Sequence, residues 1–179
     1  MKKSLHLFLA GVLAVGSAGL AFADSPTGGE RLAGRVRHEL AMIPQVTVFD
    51  NLGYRVDGGT VTLYGQVRNA VVKYGAQNSI KHLEGVERVN NQIEVLPPSF
   101  SDDRIRRQMA RAIYKDSSMF NYAIQPVAPI RIIVKNGHVD LEGVVRTERD
   151  KDVAFIRANE VPGVFSVQNN LQVELPKKG

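Results

Sequence analysis

Residues 56–68 read VDGGTVTLYGQVR, and residues 134–146 read VKNGHVDLEGVVR. The two stretches share Val, Gly, Val, Leu, Gly, Val and Arg at the same spacing. When residues 56–95 are set against 134–173 without a gap, 14 of the 40 positions are identical, whereas common residue frequencies would give roughly 3 by chance. The chain therefore contains a duplicated module.

Each copy of this stretch predicts a β-hairpin. The turn is Asp57-Gly58-Gly59 in the first copy and Lys135-Asn136-Gly137 in the second, and Gly and Asn supply the positive φ angles that tight hairpin turns require. After each turn apolar residues alternate with others, as they do in a strand with one buried face. The alternating positions are Val61, Leu63 and Val67 in the first copy and Val139, Leu141 and Val145 in the second.

Helical patterns flank the hairpin in each copy. Upstream, apolar residues recur every four positions and predict a first helix. Downstream, Asn69 and Thr147 are placed to cap a second helix, which Gly85 and Gly163 are expected to end before a last strand. The apolar positions of the first helix are Leu32, Val36 and Leu40 in the first copy and Ile105, Met109 and Ile113 in the second.

The order of elements is α-β-β-α-β in each copy, so the predicted fold class is α+β. Because the second helix joins two strands, that connection can be a right-handed crossover between parallel neighbours. We expect two tandem modules, each a three-stranded mixed sheet with two helices on one face. The predicted bounds are 30–97 and 101–176, and the joint is Leu96-Pro97-Pro98-Ser99, which its two prolines stiffen.

The second copy is longer than the first in one loop. The first helices align at an offset of 73 residues and the hairpins at an offset of 78, so five extra residues lie between Tyr114 and Pro129. A longer loop can carry a new function or can be a harmless insertion. Within this segment Met119, Phe120 and Tyr122 are expected to be exposed.

The N-terminus has the pattern of a secretory signal peptide. Lys2 and Lys3 precede a largely apolar run that ends at Ala21-Phe22-Ala23, a small-x-small cleavage site. Cleavage is predicted between Ala23 and Asp24, with residues 1–23 removed and the protein exported to the periplasm. The alternative is a retained anchor, which the glycines within the run disfavour.

The spacing of the glycines and valines resembles that of the BON domain, a family named for bacterial osmotically inducible and nodulation proteins. The shared pattern is a helix, Gly-x-Val-x-Leu-x-Gly-x-Val, a second helix, and Gly-Val-x-x-Val-x-Asn. It occurs twice and covers nearly all of the chain after the signal peptide. Its glycines and asparagines are Gly59, Gly65, Gly85 and Asn91 in the first copy and Gly137, Gly143, Gly163 and Asn169 in the second.

The resemblance implies a periplasmic protein similar to osmotically inducible members and to two-domain envelope lipoproteins that bind anionic phospholipid. Those lipoproteins carry an acylated Cys, but this sequence contains none, so permanent outer-membrane anchoring is not implied. The matching residues are expected to be structural. Gly65 and Gly143 should allow a turn or bulge at the strand end, and Asn91 and Asn169 should satisfy backbone groups in the core.

Motifs for chemistry are absent from the sequence. It contains no Gly-x-Ser-x-Gly elbow, no His-Glu-x-x-His and no nucleotide-binding glycine loop. Asp140 and Glu142 stand two apart on one strand and could together bind a cation, but the first copy has Thr62 and Tyr64 at those positions. We therefore predict a protein that is not an enzyme, with no catalytic residue, no metal site and no cofactor.

Positive charge is concentrated in the second copy. Residues 24–98 carry 8 basic and 8 acidic side chains, whereas residues 99–179 carry 13 and 10. On the first helix of the second copy, four cations fall within roughly 80° of one another at about 100° per residue. These are Arg104, Arg107, Arg111 and Lys115. The alternative is an ordinary solvated polar face, whose positive charge is partly offset by Asp102, Asp103 and Asp116.

Two functions fit these features. The first is peripheral binding of anionic phospholipid through the four cations, helped by Met119 and Phe120 dipping into the bilayer, in support of envelope integrity under stress. The alternative is a periplasmic protein-interaction or chaperone-like module, with envelope proteins as partners and no direct lipid binding. Nucleic acid is disfavoured as a partner by export and by the small surplus of charge.

Overall fold

The computed structural model describes residues 28–125 and 127–174, so the predicted signal peptide lies outside the described residues. Two modules follow one another, here called module 1 and module 2. Module 1 consists of α1 (Gly28–Ala41), β1 (Asn51–Asp57), β2 (Thr60–Val67), α2 (Ala70–Ile80), β3 (Arg88–Asn91) and β4 (Glu94–Val95). Module 2 consists of α3 (Phe100–Tyr114), a 3-10 turn (Ser117–Met119), α4 (Phe120–Ala123), β5 (Ile130–Lys135), β6 (His138–Val145), α5 (Glu148–Asn159), β7 (Ser166–Asn169) and β8 (Gln172–Val173).

Both sheets have the same mixed topology. In module 1, β1 pairs antiparallel with β2, and β3 and β4 pair parallel with β2 on its other side. In module 2, β6 is paired in the same way with β5, β7 and β8. The two short parallel strands are pieces of one last strand, so the predicted α+β fold with three-stranded mixed sheets is confirmed.

Asparagine side chains interrupt the last strand of each sheet. Asn91 Oδ1 accepts the backbone N–H of Ile93 at 3.2 Å, and Asn169 Oδ1 accepts that of Leu171 at 3.3 Å. A backbone N–H bound to its neighbour's side chain is withdrawn from the ladder of the sheet. The strand therefore stops and resumes after each asparagine.

Each module has its own apolar core between its sheet and its two long helices. In module 1, the buried faces of α1 and α2 pack on β2, and in module 2 those of α3 and α5 pack on β5 and β6. Both helices therefore lie on one face of the sheet, as predicted. The buried positions include Val36, Leu63, Ala76 and Ile80 in module 1 and Met109, Leu141, Ala154 and Ala158 in module 2.

Gly65 and Gly143 occupy backbone positions that exclude a side chain. Their φ angles are +112° and +118°, a region that L residues other than glycine rarely adopt. A Cβ atom at Gly65 would lie 2.1 Å from the carbonyl oxygen of Asn51, and one at Gly143 would lie 1.9 Å from that of Pro129. The opposite strand therefore passes too close for any other residue.

The second helices end earlier than predicted. They stop at Ile80 and Asn159, and Gly85 and Gly163 lie in the following turns with φ angles of +90° and +88°. In module 2, Pro162 disfavours helical geometry in the residue before it. The two glycines therefore shape the turn into the last strand and do not end the helix itself.

The longer loop of module 2 folds back onto its core. Met119 is 0% exposed and Tyr122 is 3% exposed, so the expectation that both are exposed is wrong. The Tyr122 hydroxyl donates to Asp150 Oδ2 and accepts the backbone N–H of Arg146, both at 2.7 Å. Because this bonding and the apolar packing hold both side chains inside, Met119 does not reach a bilayer surface. Phe120 remains exposed.

The two modules touch beyond their short linker. The backbone N–H of Ile132 donates to Val48 O at 2.8 Å, and Arg131 donates to Thr47 O at 3.0 Å. Phe49 of module 1 packs against the core of module 2. Two ion pairs cross the same boundary, Arg68 with Asp103 at 3.2 Å and Lys135 with Glu94 at 2.6 Å. We call this set the inter-module contact.

Candidate functional site

The residues at the N-terminus of α3 stabilise the start of this helix. Ser99 is the N-cap, and its hydroxyl accepts the backbone N–H of Asp102 at 3.2 Å. The negative charges of Asp102 and Asp103 in the first turn interact favourably with the positive end of the helix dipole. Ile105, Met109 and Ile113 fill one face and are almost fully buried. This anchoring leaves the opposite face of α3 to solvent.

The outer face of α3 carries the four predicted cations in one line. Arg104, Arg107, Arg111 and Lys115 are all exposed. Phe100 stands four residues before Arg104, on the same side of the helix, and is 98% exposed. The sequence reasoning missed Phe100, although its spacing from Arg104 would have placed it on this face. We call these five residues the α3 stripe.

The cations of the α3 stripe form no ion pair within the described part of the chain. In the ranges 28–125 and 127–174, none of the four has a carboxylate oxygen within 4.0 Å. The acidic residues expected to offset the stripe are bound elsewhere. Asp102 accepts the backbone N–H groups of Asn136 and Gly137, both at 2.9 Å.

Asp103 and Asp116 are also committed to other partners. The hydrogen bond from Arg106 lowers the pKa of the Asp103 carboxyl, and the charges of Arg68, Arg106 and, least, Arg107 lower it further. Hydrogen bonds from the hydroxyl and backbone N–H of Ser118 lower the pKa of Asp116, and Arg157 adds to the effect. Both groups are thus held as carboxylates by other donors. Much of the positive charge of the α3 stripe is left for a partner outside the chain.

Arg106 differs from the other cations of α3 because it points inward. It is 3% exposed, donates to Asp103 Oδ1 at 2.7 Å, and also donates to the carbonyl of Val134. Its charge is used to join α3 to β5. Arg106 is therefore structural and does not belong to the α3 stripe.

Further apolar side chains are exposed around the α3 stripe. Phe165, in the turn before β7, is 78% exposed. It lies against the Gly137 turn, which Asp102 binds, so it is at the end of module 2 where α3 begins. Phe155 and Ile156 are exposed on α5, which packs beside α3 on the same face of the sheet. Phe120 follows the other end of the stripe.

Module 1 has no counterpart to the α3 stripe. At the offset of 73 residues, α1 and the residue after it carry Arg31, Gly34, His38 and Met42 where module 2 has Arg104, Arg107, Arg111 and Lys115. The core positions Leu32 and Ile105 remain equivalent in burial. The two helices are alike inside and different outside.

The asparagines of the repeated motif face their own modules. Asn91 Nδ2 donates to Lys73 O at 3.0 Å and to Gln77 Oε1 at 3.1 Å. Asn169 Nδ2 donates to Lys151 O at 3.0 Å. Each amide therefore ties the last strand to the second helix.

Gly59 and Gly137 close the hairpin turns. A Cβ atom at Gly59 would lie 2.6 Å from the Glu87 side chain, and one at Gly137 would lie 2.6 Å from the Phe165 ring. Both glycines allow a side chain from the turn before the last strand to lie against the hairpin.

The described residues contain neither a membrane-spanning helix nor a cluster of metal-ligating side chains. No helix within 28–125 and 127–174 is long and apolar enough to cross a membrane. Within the same residues, no three His, Cys, Asp or Glu side chains lie close enough together to hold a metal ion.

Comparison with known proteins identifies the family of this chain. A model of the BON domain matches residues 30–97 and 101–174, and the chain belongs to the BON domain family. The resemblance drawn from the glycine and valine spacing is confirmed.

One similar curated protein is the outer membrane lipoprotein DolP of Haemophilus influenzae. It is 33% identical over 109 residues, which cover 61% of this chain and 55% of that protein. The chain thus spans about half the length of this relative.

Two solved structures of CdsD, a structural protein of the type III secretion system of Chlamydia trachomatis, are also similar. The C-terminal domain of CdsD has a TM-score of 0.32 at 13% identity, with 81% of this chain and 98% of that chain covered. The second CdsD structure has a TM-score of 0.35 at 11% identity, with 83% and 95% covered.

Proposed function

We propose that this protein is exported to the bacterial envelope and binds anionic phospholipid bilayers peripherally through the outer face of α3. The observation that carries the proposal is the α3 stripe: four exposed cations with no ion pair among the described residues, in line with Phe100, which is 98% exposed. An anionic bilayer offers both the missing negative charge and a layer that receives the phenyl ring.

The two terms of the interaction are of useful size. A Lys or Arg close to an anionic membrane surface contributes about 1 kcal/mol. Complete burial of a Phe side chain contributes about 1.5 to 3 kcal/mol. Because the charge term is screened over about 8 Å at physiological ionic strength, binding should be reversible and should weaken as salt rises.

The layout of module 2 favours α3 lying flat on the surface. Phe100 stands at one end of the stripe and Phe120 follows the other, so both ends of the helix have an apolar contact. Phe155 and Ile156 on α5 face away from the same sheet and can deepen contact at the interface. The sheet and module 1 then remain on the aqueous side.

Location in the envelope is supported by two features of the protein. The sequence begins with a signal-peptide pattern whose predicted cleavage site precedes Asp24. The similar protein of Haemophilus influenzae is an outer membrane lipoprotein. We place this chain in the periplasm, where membrane association would support envelope integrity under stress.

Vesicle flotation tests the proposal. The protein should float with vesicles that contain anionic phosphatidylglycerol and remain behind with pure phosphatidylcholine. A variant with Arg104, Arg107 and Arg111 all changed to Glu should lose flotation. The matched control changes Arg31, Lys81 and Arg88 to Glu, which gives the same net charge but alters only exposed residues of module 1.

The control separates a local stripe from net charge. Flotation by the control but not by the α3 variant supports the stripe. Equal loss in both variants would mean that only total charge matters. Equal flotation of the wild type on neutral vesicles would contradict the proposal.

Phe100→Ser tests the apolar term separately. Because Phe100 is 98% exposed, the change should leave the free energy of unfolding unaltered. Loss of one partly inserted ring should weaken bilayer binding by about tenfold. Unchanged affinity would show that charge alone holds the protein on the membrane.

The protein-interaction alternative retains one structural feature. The longer loop of module 2 buries Met119 and Tyr122 and so does not offer them to a partner, but Val71 and Tyr74 on α2 of module 1 are exposed. If the protein does not float with anionic vesicles, this surface becomes the better candidate for contact with an envelope protein.

A further inference from the structure

A groove runs between the two modules and has a volume of about 750 Å³. One wall is formed by the C-terminal end of α1 and the segment that leads into β1. The other is formed by Ala123, Gln125, Val127, Ala128 and Arg131. The volume falls within the range of roughly 300 to 1,000 Å³ that is usual for small-molecule sites. Because both modules contribute, the inter-module contact creates the groove.

Apolar side chains at this groove remain in contact with water. Met42 is 65% exposed and Val127 is 50% exposed, and they lie on opposite walls. Apolar surface gathered in a concave site marks a place where a ligand can replace water.

Two arginines from different modules give the groove a positive charge. Arg37 of α1 and Arg131 of β5 both line it. Arg37 donates to the Tyr54 hydroxyl at 3.3 Å, and Arg131 donates to Thr47 O at 3.0 Å. Among the described residues, neither guanidinium has a carboxylate oxygen within 4.0 Å.

The acidic residue among the lining side chains is already bound. Asp50 accepts the backbone N–H of Thr47 at 2.9 Å, the Thr47 hydroxyl at 2.7 Å and the backbone N–H of Arg68 at 2.7 Å. Asp50 is only 2% exposed. Burial lowers the pKa of the Arg131 guanidinium, and the charge of the nearby Asp50 carboxylate opposes this effect. With Arg37 and Arg131 against the one carboxylate of Asp50, the lining side chains keep a surplus of positive charge.

We propose that the groove binds one single-chain anionic amphiphile, a long-chain fatty acid. Its alkyl chain lies between Met42 on one wall and Val127 on the other, and its carboxylate pairs with Arg37 and Arg131. This site shares no residue with the α3 stripe. It would bind a dissolved monomer between the modules, whereas the α3 stripe would bind a bilayer.

The test titrates the purified protein, as the cell processes it, with dodecanoate below its critical micelle concentration. Calorimetry should show saturable binding of one dodecanoate per chain. Dodecanol has the same chain without the charge and should bind at least about tenfold more weakly, since a charge-assisted pair is lost. Lack of saturation by dodecanoate, or equal affinity for the alcohol, would overturn the proposal.

Three variants locate the site. Met42→Glu and Arg37→Glu change exposed residues of the groove, and each should weaken binding about tenfold. Arg31→Glu changes an exposed residue of the same helix that does not line the groove, and it should bind as the wild type does. Equal affinity of all three variants and the wild type would contradict the assignment.

A fourth variant distinguishes this site from the membrane face. The protein with Arg104, Arg107 and Arg111 changed to Glu should bind dodecanoate with unchanged affinity even if it no longer floats with vesicles. Loss of dodecanoate binding in that variant, with retention in Arg37→Glu, would place the ligand on α3 and overturn the groove. Circular dichroism of each variant checks that the fold is retained.

Discussion

Modules 1 and 2 satisfy the same backbone N–H group, at the end of the central strand, by different means. The residue after the central strand is Arg68 in module 1 and Arg146 in module 2. Asp50 Oδ1 accepts the backbone N–H of Arg68, and the Tyr122 hydroxyl accepts that of Arg146, both at 2.7 Å. The longer loop of module 2 has thus replaced a carboxylate with a phenol. The duplicated frame fixes where an acceptor is needed but not which residue supplies it.

The outer faces of the two modules have diverged further than their cores. Leu32, Val36 and Leu40 correspond in burial to Ile105, Met109 and Ile113. At the positions of the four α3-stripe cations, α1 and the residue after it carry one arginine, Arg31. Because packing demands the core pattern but not the surface pattern, the proposed lipid-binding face is assigned to the part that differs.

The largest expected effects come from the glycines that the modules share. Gly65→Val and Gly143→Val should each cost about 3 kcal/mol of the free energy of unfolding or more, since positive φ and a clash with backbone combine. Chemical denaturation measures the loss. Hydrogen exchange after Gly143→Val should show lower protection in module 2 and in the segment around Phe49, which packs on its core.

Gly34→Ala is the control for these substitutions. Nothing lies within 4 Å of a Cβ atom at this exposed helical position, so alanine should stabilise α1 by up to about 1 kcal/mol. Equal loss of protection throughout both modules after Gly143→Val would contradict two separable cores.

Removal of the two acceptors should have the next largest effects. Asp50→Ala leaves three donors without their partner and should cost about 2 to 3 kcal/mol. Tyr122→Phe leaves the N–H of Arg146 and the carboxylate of Asp150 unpartnered and should cost about 1 to 2 kcal/mol. Thermal unfolding of the two variants measures the difference. A larger loss for Tyr122→Phe would contradict the expectation that Asp50, which accepts three hydrogen bonds, contributes more to stability.

Asp103→Asn tests the ion pairs at the inter-module contact. The substitution removes the charged partner of buried Arg106 and should cost about 1 kcal/mol or more at neutral pH. Because the folded pKa of Asp103 is lowered, its contribution is fully present above the unfolded pKa of about 3.9. The contribution is lost as pH falls through the lower folded pKa.

The pH dependence provides the readout for Asp103. The difference in stability between the wild type and Asp103→Asn should shrink as pH falls below about 3.9. A difference that stays constant across this range would show that the charge of Asp103 contributes neither through Arg106 within module 2 nor through Arg68 across the modules.

The smallest effect is expected at the exposed pair of Lys135 and Glu94. Both side chains are more than two-fifths exposed, and such pairs contribute about 0 to 1 kcal/mol. Lys135→Ala should therefore leave the unfolding midpoint almost unchanged. A large shift would mean that the modules depend on charge at this edge more than on the pairing of Val48 with Ile132.

The sequence was sufficient to predict the helices and strands of the two modules. It was not sufficient to predict the path of the longer loop of module 2 or the inter-module contact. Alternation in β2 and β6 and the four-residue spacing in α1 and α3 report burial directly. Met119 and Tyr122 carry no such period, because they lie in short turns whose path depends on tertiary packing. The inter-module contact uses the carbonyls of Thr47 and Val48, which every residue possesses.

The candidate site was predictable in part. Arg104, Arg107, Arg111 and Lys115 follow from helical geometry, and Phe100 could have been added by the same spacing. That Asp102 and Asp103 bind other groups could not be read from the sequence, because their partners at Asn136, Gly137 and Arg68 are distant along the chain.

Residue-resolved NMR with phospholipid nanodiscs tests the central claim most directly. Amide signals of α3 (Phe100–Tyr114) should broaden or shift when nanodiscs containing phosphatidylglycerol are added. Those of α1 (Gly28–Ala41) should remain as they are in the free protein, and neither helix should respond to neutral nanodiscs. Equal perturbation of α1 and α3, or no perturbation of α3, would contradict a membrane-binding face confined to module 2.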